Sequence, residues 1–206
     1  MGEAAFDATK DLREFYTARA GRFDLVVVPE LPFLMLDGHG DPNTEPAYAA
    51  AVQGLYALSY RLKFTVKREL GRDAKVAPLE GLWSAADPRA FAARDTSAWD
   101  WTLMILQPPW ITAELVDAAR PAAAEKAPAA ASARFETLTE GLSVQTLHRG
   151  PYDEEGPVLA ELHEEFMPEH GLAFNGPHHE IYFGDPRRQA PERMRTILRQ
   201  PVARTA

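Results

Sequence analysis

The residues best equipped for chemistry lie in short, strand-like stretches. In HHEIYFG, residues 178–184, period-two alternation puts His178, Glu180 and Tyr182 on one face and Ile181 and Phe183 on the other. A carboxylate between apolar residues and beside a tyrosine suits a cleft wall, where partial burial raises its pKa and sharpens its interaction with a cationic or proton-accepting ligand. The competing reading is an ordinary glutamate on a half-solvated strand. Glu80, in PLEGLW at 78–83, is the second carboxylate, with Gly81 beside it allowing close approach of a backbone or ligand. If the two glutamates occupy comparable strands of a repeated unit, they are expected to face each other across one cleft. One would then protonate a leaving oxygen while the other activates water. Otherwise Glu80 caps a turn or pairs with an arginine.

Trp83, Trp99 and Trp101 concentrate aromatic surface near these acids. Flat rings stack on planar ligands and attract cations. For any one of the three, core is the simpler assignment; at least one is expected in the cleft. Met104, on the opposite strand face from Trp99 and Trp101, has an adaptable side chain that suits either environment. Tyr152 follows Gly150-Pro151 at a corner, where its hydroxyl either meets a ligand carbonyl or water, or closes off the sheet edge. His178 and His179 are adjacent on a strand and point to opposite sides, and His163 and His170 are seven positions apart with Pro168 between them. Neither spacing suits a metal, so none is expected. No phosphate loop, nucleophile elbow or dinucleotide glycine signature occurs, so no cofactor is expected either.

The elements that must position these groups follow from periodicity. FDLVVV and FLMLDGHG read as two strands joined by a turn, because Pro29 and Pro32 interrupt the run. Thr44 is the candidate cap of a helix from about Glu45 to Leu70, with Tyr48, Val52, Leu55, Tyr56, Leu62 and Val66 at helical spacing and Gly71 as its stop. KVAPLEGLWSA and SAWDWTLMILQPPW read as an antiparallel pair. Residues 111–133 form an Ala-rich helical connector. Beyond it the grammar repeats: a strand ending at Gly150 as the earlier one ended at Gly40, an acidic turn, a helix from PVLAELHEEFM, the strand HHEIYFG, and a last strand from ILRQPV. The expected fold is one α+β domain over 1–206, with halves at 20–110 and 134–206. Each half is a strand-helix-strand-strand module. Together they form an antiparallel sheet with helices on one face and a ligand cleft on the other.

Composition limits the function further. The chain of 206 residues has no cysteine, which excludes disulfides, thiol catalysis and thiolate metal sites. No apolar run reaches membrane-spanning length and no signal-peptide core opens the chain, so a cytoplasmic protein without a membrane partner is expected. A formal net charge of −8 opposes nucleic-acid binding, and no helix-turn-helix segment is evident. The basic stretch Arg187, Arg188, Arg193, Arg195 and Arg199 is read as a solvated helix face. A monomer or homodimer is expected.

PLEGLW at 78–83, WDWTLMILQP at 99–108, EGLSVQTLHRGPYDEE at 140–155 and HHEIYFGDPRR at 178–188 occur in the order found in stand-alone GyrI-like domains, and from about residue 20 the chain resembles that family. The resemblance implies a pseudo-twofold pair of modules similar to the effector domain of multidrug-responsive transcription activators. In those domains aromatic rings and a buried glutamate bind bulky, often cationic compounds. It implies a binder of hydrophobic or aromatic small molecules, in a role such as drug or toxin protection, with the cleft lined by Trp, Tyr and Glu. It also carries an alternative, because some stand-alone relatives are hydrolases that open the cyclopropane ring of DNA-alkylating antibiotics.

Overall fold

The computed structural model describes residues 4–86, 95–184 and 189–205. The first module comprises β1 (Asp24–His39), α2 (Pro46–Leu70), β2 (Leu79–Ala85) and β3 (Trp99–Leu106), preceded by the short α1 (Ala8–Asp11). The connector contains α3 (Ala113–Ala124) and a 3-10 turn, Pro128–Ser132. The second module comprises β4 (Arg134–Arg149), α4 (Gly156–Ala160), a π-helical turn (Glu161–Phe166), α5 (Met167–Glu169), the short β5 (Leu172–Phe174), β6 (His178–Phe183) and β7 (Arg195–Arg204).

The strands follow the order β4-β1-β3-β2-β6-β7-β5, and β4 also pairs with β7. Six antiparallel strands therefore close into a barrel-like ring in which each module supplies three. The α+β class and the strand-helix-strand-strand repeat are as the sequence indicated. Closure adds something that local patterns do not announce: one face of the sheet becomes a filled interior. Register sends Met35, Glu80, Met104, His179, Ile181, Ile197 and Arg199 inward, and the N-terminal segment contributes Tyr16. With that face occupied, the concavity opens on the outer face, between α2 and the second-module helix, and not on a helix-free side as expected.

Helix α2 forms as its spacing predicts, with buried Leu55, Leu58, Leu62 and Val66 on one side and Gly71 in the left-handed region at φ 67°. Its cap is Glu45, whose carboxylate accepts from the Ala47 N–H at 3.3 Å, and not Thr44. The connector buries Ala119, Ala123, Ala127, Ala130 and Ala133. Gly54 of α2 approaches the connector so closely that a Cβ there would lie 2.8 Å from the backbone nitrogen of Ala130.

Two further sequence expectations are corrected. Strand β1 runs unbroken through Pro29 and Pro32. The strand survives because β3 joins it only from Phe33 onward, and Pro29 is left out of the β4 ladder at the position opposite Glu140. The basic stretch is not a solvated helix face: Arg195 and Arg199 lie on strand β7, and Arg199 is only 2% exposed inside the barrel. Arg187 and Arg188 lie outside the described residues. Among the described residues, no helix is long and apolar enough to cross a membrane.

Candidate functional site

Strands β2 and β6 pair at the seam between the modules, with Gly81 opposite Glu180 and Trp83 opposite His178. Side chains alternate, so Glu180 and its neighbours two residues away, His178 and Tyr182, face outward with Trp83. Helix α2 brings Tyr48 over this surface from one side, and the 3-10 turn Tyr152–Glu154 brings Tyr152 from the other. The result is a cleft of roughly 2200 Å³, spacious for a small-molecule ligand.

The floor of the cleft is aromatic. Tyr48 stacks on Trp83 at 6.2 Å between ring centroids and meets Trp101 edge-on at 5.3 Å. Trp83 meets Trp99 edge-on at 5.5 Å, and Tyr152 meets Tyr182 edge-on at 5.5 Å. The Trp83 indole N–H donates to the Tyr182 hydroxyl at 2.9 Å. Gly81 makes room for that bond, since a Cβ there would lie 3.0 Å from Trp83 Nε1 and 3.1 Å from the Tyr182 hydroxyl.

Glu180 is the charged member of this group. Its side chain is 14% exposed, and its Oε1 lies 3.5 Å from His178 Nε2. Burial lifts the Tyr182 hydroxyl pKa well above its ordinary value, and the Glu180 charge and a hydrogen bond to it add to the rise. Burial also raises Tyr48, again reinforced by Glu180. Both hydroxyls therefore stay protonated over the physiological range and can donate to a ligand or to the carboxylate. Glu155, only 5% exposed, also lines the cleft and adds to the rise at Tyr182. The site thus sets carboxylates among neutral hydroxyl donors and electron-rich ring faces, an arrangement complementary to a planar, positively polarised molecule.

Glu80 is elsewhere. It is opposite Ile181 in the β2–β6 ladder, points into the barrel and is 1% exposed. Its carboxylate accepts from the Tyr16 hydroxyl at 2.6 Å and meets His179 Nε2 at 3.0 Å. The other His179 nitrogen, Nδ1, meets Glu140 at 2.8 Å, and Glu140 accepts from Arg199 at 2.7 Å. Arg199 also donates to Gln145 and to the Phe15 carbonyl. The expectation of Glu80 and Glu180 facing each other across a cleft is corrected by alternation. The repeat relates β2 to β6 while conserving faces, so the offset between equivalent residues must be odd, whereas Glu80 and Glu180 are an even number apart. An offset of one residue moves a side chain through the sheet.

The other predicted residues divide the same way. Trp83, Trp99, Tyr152, His178, Glu180 and Tyr182 line the cleft. Trp101 lies beneath Tyr48, packed over Gly38, where any Cβ would fall about 2.0 Å from its ring. Met104 is fully buried, on the inward face with Glu80. Sequence reasoning missed Tyr48 and His163 as cleft residues. Tyr48 was visible as part of the apolar stripe of α2, but periodicity shows only that a face is covered, not by what.

This architecture is shared with known proteins. The GyrI-like small molecule binding domain profile matches residues 22–202, and the chain belongs to that family. It is similar to an uncharacterised conserved protein from Listeria innocua, with 39% identity over 96% of this chain and 100% of that one and a TM-score of 0.86. It is also similar to a structure described as a hydrolase from Listeria innocua, with 37% identity, the same coverage of each chain and a TM-score of 0.82. The C-terminal domain of EcmrR shares the fold at a TM-score of 0.55 and 11% identity, over 89% of this chain and 98% of that domain. No curated protein matches the chain.

Proposed function

We propose that this protein binds planar aromatic small molecules carrying a positive or proton-accepting group, with Glu180 as the polar anchor and Trp83, Trp99, Tyr48, Tyr152 and Tyr182 as the stacking surface. Sequestering such compounds in the cytoplasm protects against drugs or toxins. The observation that carries this reading is the position of Glu180: a largely buried carboxylate aimed into an aromatic cleft, with neutral tyrosine hydroxyls around it and no arginine or lysine paired with it among the described residues. A carboxylate desolvated in this way gains most from a cationic or proton-sharing partner. Titration with a 10-methylacridinium cation, followed by tryptophan quenching and calorimetry, is expected to show saturable one-to-one binding that Glu180→Gln weakens. Absence of saturable binding across a chemically varied set of aromatic cations contradicts it.

A second reading is favoured by the hydrolase description of the 37%-identical Listeria protein. Here the cleft adds water across a strained, conjugated cyclopropane. Glu180 takes the proton of the attacking water as the new C–O bond forms, and the electron pair of the breaking ring C–C bond moves through the conjugated system onto the carbonyl oxygen. That oxygen, held by a hydrogen bond from a tyrosine hydroxyl, takes up the proton that Glu180 releases. Glu80 has no part in this step, because it lies on the other side of the sheet. Mass spectrometry after incubation with a cyclopropane-containing alkylator separates the two readings: a water adduct made by wild type and not by Glu180→Gln identifies a hydrolase, whereas unchanged compound with saturable quenching identifies a binder.

A further inference from the structure

The cleft wall opposite Tyr48 is built differently from its aromatic floor. The second-module helix widens into a π-helical turn over Glu161–Phe166, and this turn carries His163 to the cleft lining. A π turn gives up regular helical hydrogen bonding, and such turns recur where a side chain has a functional task. The His163 ring meets Phe174 edge-on at 4.9 Å between centroids and His178 at 6.4 Å. The His163 Nε2 and both ring nitrogens of His178 are buried and make no hydrogen bond among the described residues. His178 in turn places its Nε2 3.5 Å from Glu180 Oε1, so its imidazole stands between His163 and the carboxylate, meeting each.

We infer that His163 and His178 form a polar subsite of the cleft that selects ligands bearing a group able both to donate and to accept a hydrogen bond, such as a hydroxyl or a primary amide, beside the aromatic body held at Glu180. This inference rests on the binding reading above. Burial, together with the neighbouring His178, holds the His163 pKa down to about 4, so its imidazole is neutral at physiological pH. A neutral imidazole offers one donating and one accepting nitrogen. Buried polar atoms without partners are costly, and a ligand group that pairs with them recovers that cost. An apolar group of the same size entering the subsite leaves them unpaired and is rejected.

The test uses 10-methylacridinium cations carrying either a hydroxymethyl or an ethyl group at the 2-, 3- or 9-position, with binding measured by calorimetry. The two substituents match in size, and simple apolar burial favours ethyl. The subsite predicts that wild type binds at least one hydroxymethyl isomer about tenfold more tightly than its ethyl counterpart. His163→Leu is expected to remove that preference, by weakening the hydroxymethyl compound and strengthening the ethyl one, with an unchanged near-ultraviolet circular dichroism spectrum showing that the variant cleft is folded. His163→Gln, which keeps a donor and an acceptor, is expected to restore part of the preference. Binding of both compounds without discrimination, or discrimination that persists in His163→Leu, overturns the subsite and leaves the Glu180 reading standing. If no compound of the set binds, both fall together.

Discussion

Trp83 donates its indole N–H to the Tyr182 hydroxyl at 2.9 Å, diagonally across the seam where the two modules meet. On the opposite face of the same two strands, Glu80 and His179 make a matching diagonal contact at 3.0 Å, and both pairs are separated by 99 residues. An offset of 99 conserves faces between the modules. It makes Gly81 the counterpart of Glu180, so the repeat supplies a carboxylate from one side of the cleft and empty space from the other.

That space is predicted to matter. Gly81→Ala puts a methyl about 3 Å from both partners of the Trp83–Tyr182 bond, tighter than ordinary van der Waals contact. The expected result is displacement of the bond, a stability loss of about 1 kcal/mol and a several-fold weaker affinity for aromatic cations. Chemical denaturation and near-ultraviolet circular dichroism of the tryptophans check this.

Glu80→Gln is predicted to act on stability alone. It weakens contacts to Tyr16 and His179 inside the barrel, with an expected cost of about 1–3 kcal/mol. Affinity for a cleft ligand, and turnover of an alkylator if there is any, should stay at wild-type levels. A variant as stable as wild type but unable to bind or turn over ligand would restore Glu80 to the site.

The barrel interior predicts an asymmetric pH profile. Burial alone would lower the His179 pKa, but Glu140 and Glu80 overcome this and raise it above the ordinary 6.5. Its contribution is therefore fully present below about 6.5 and is lost as pH rises through the higher folded value. Burial alone would raise Glu140, but His179 and Arg199 bring it from 4.5 down to about 2. Its contribution is present above about 4.5 and is lost as pH falls toward 2. Thermal unfolding is expected to show a plateau between those limits with declines on both sides, and His179→Gln should flatten the alkaline one. Glu140→Ala, which leaves Arg199 and His179 buried without their shared carboxylate, should cost about 3–5 kcal/mol.

What the sequence made legible was local. The stripe from Tyr48 to Val66 marked α2, alternation in HHEIYFG set Glu180 and Tyr182 on one face, and the alanines of the connector packed as small side chains do. Ring closure by β1–β4 and β4–β7 was not legible, since pairing between strands so distant in sequence leaves no periodic trace. The unread closure had consequences. It moved the cleft to the outer face, turned Arg199 from a surface charge into a buried one, and made the parity of the repeat decisive for Glu80. His163 stood out only as a metal-ligand candidate and not as a cleft residue, for a different reason: a π turn has no simple sequence signature.

Glu180 is proposed as the charged anchor of the aromatic cleft. The most direct test of that role is calorimetric titration of wild type and Glu180→Gln with 10-methylacridinium and with neutral anthracene-type isosteres of the same shape. Wild type is expected to prefer the cation, Glu180→Gln to lose about tenfold or more in affinity for it, and affinity for the neutral isostere to change little. Equal loss for cation and isostere, or no loss for either, would contradict it.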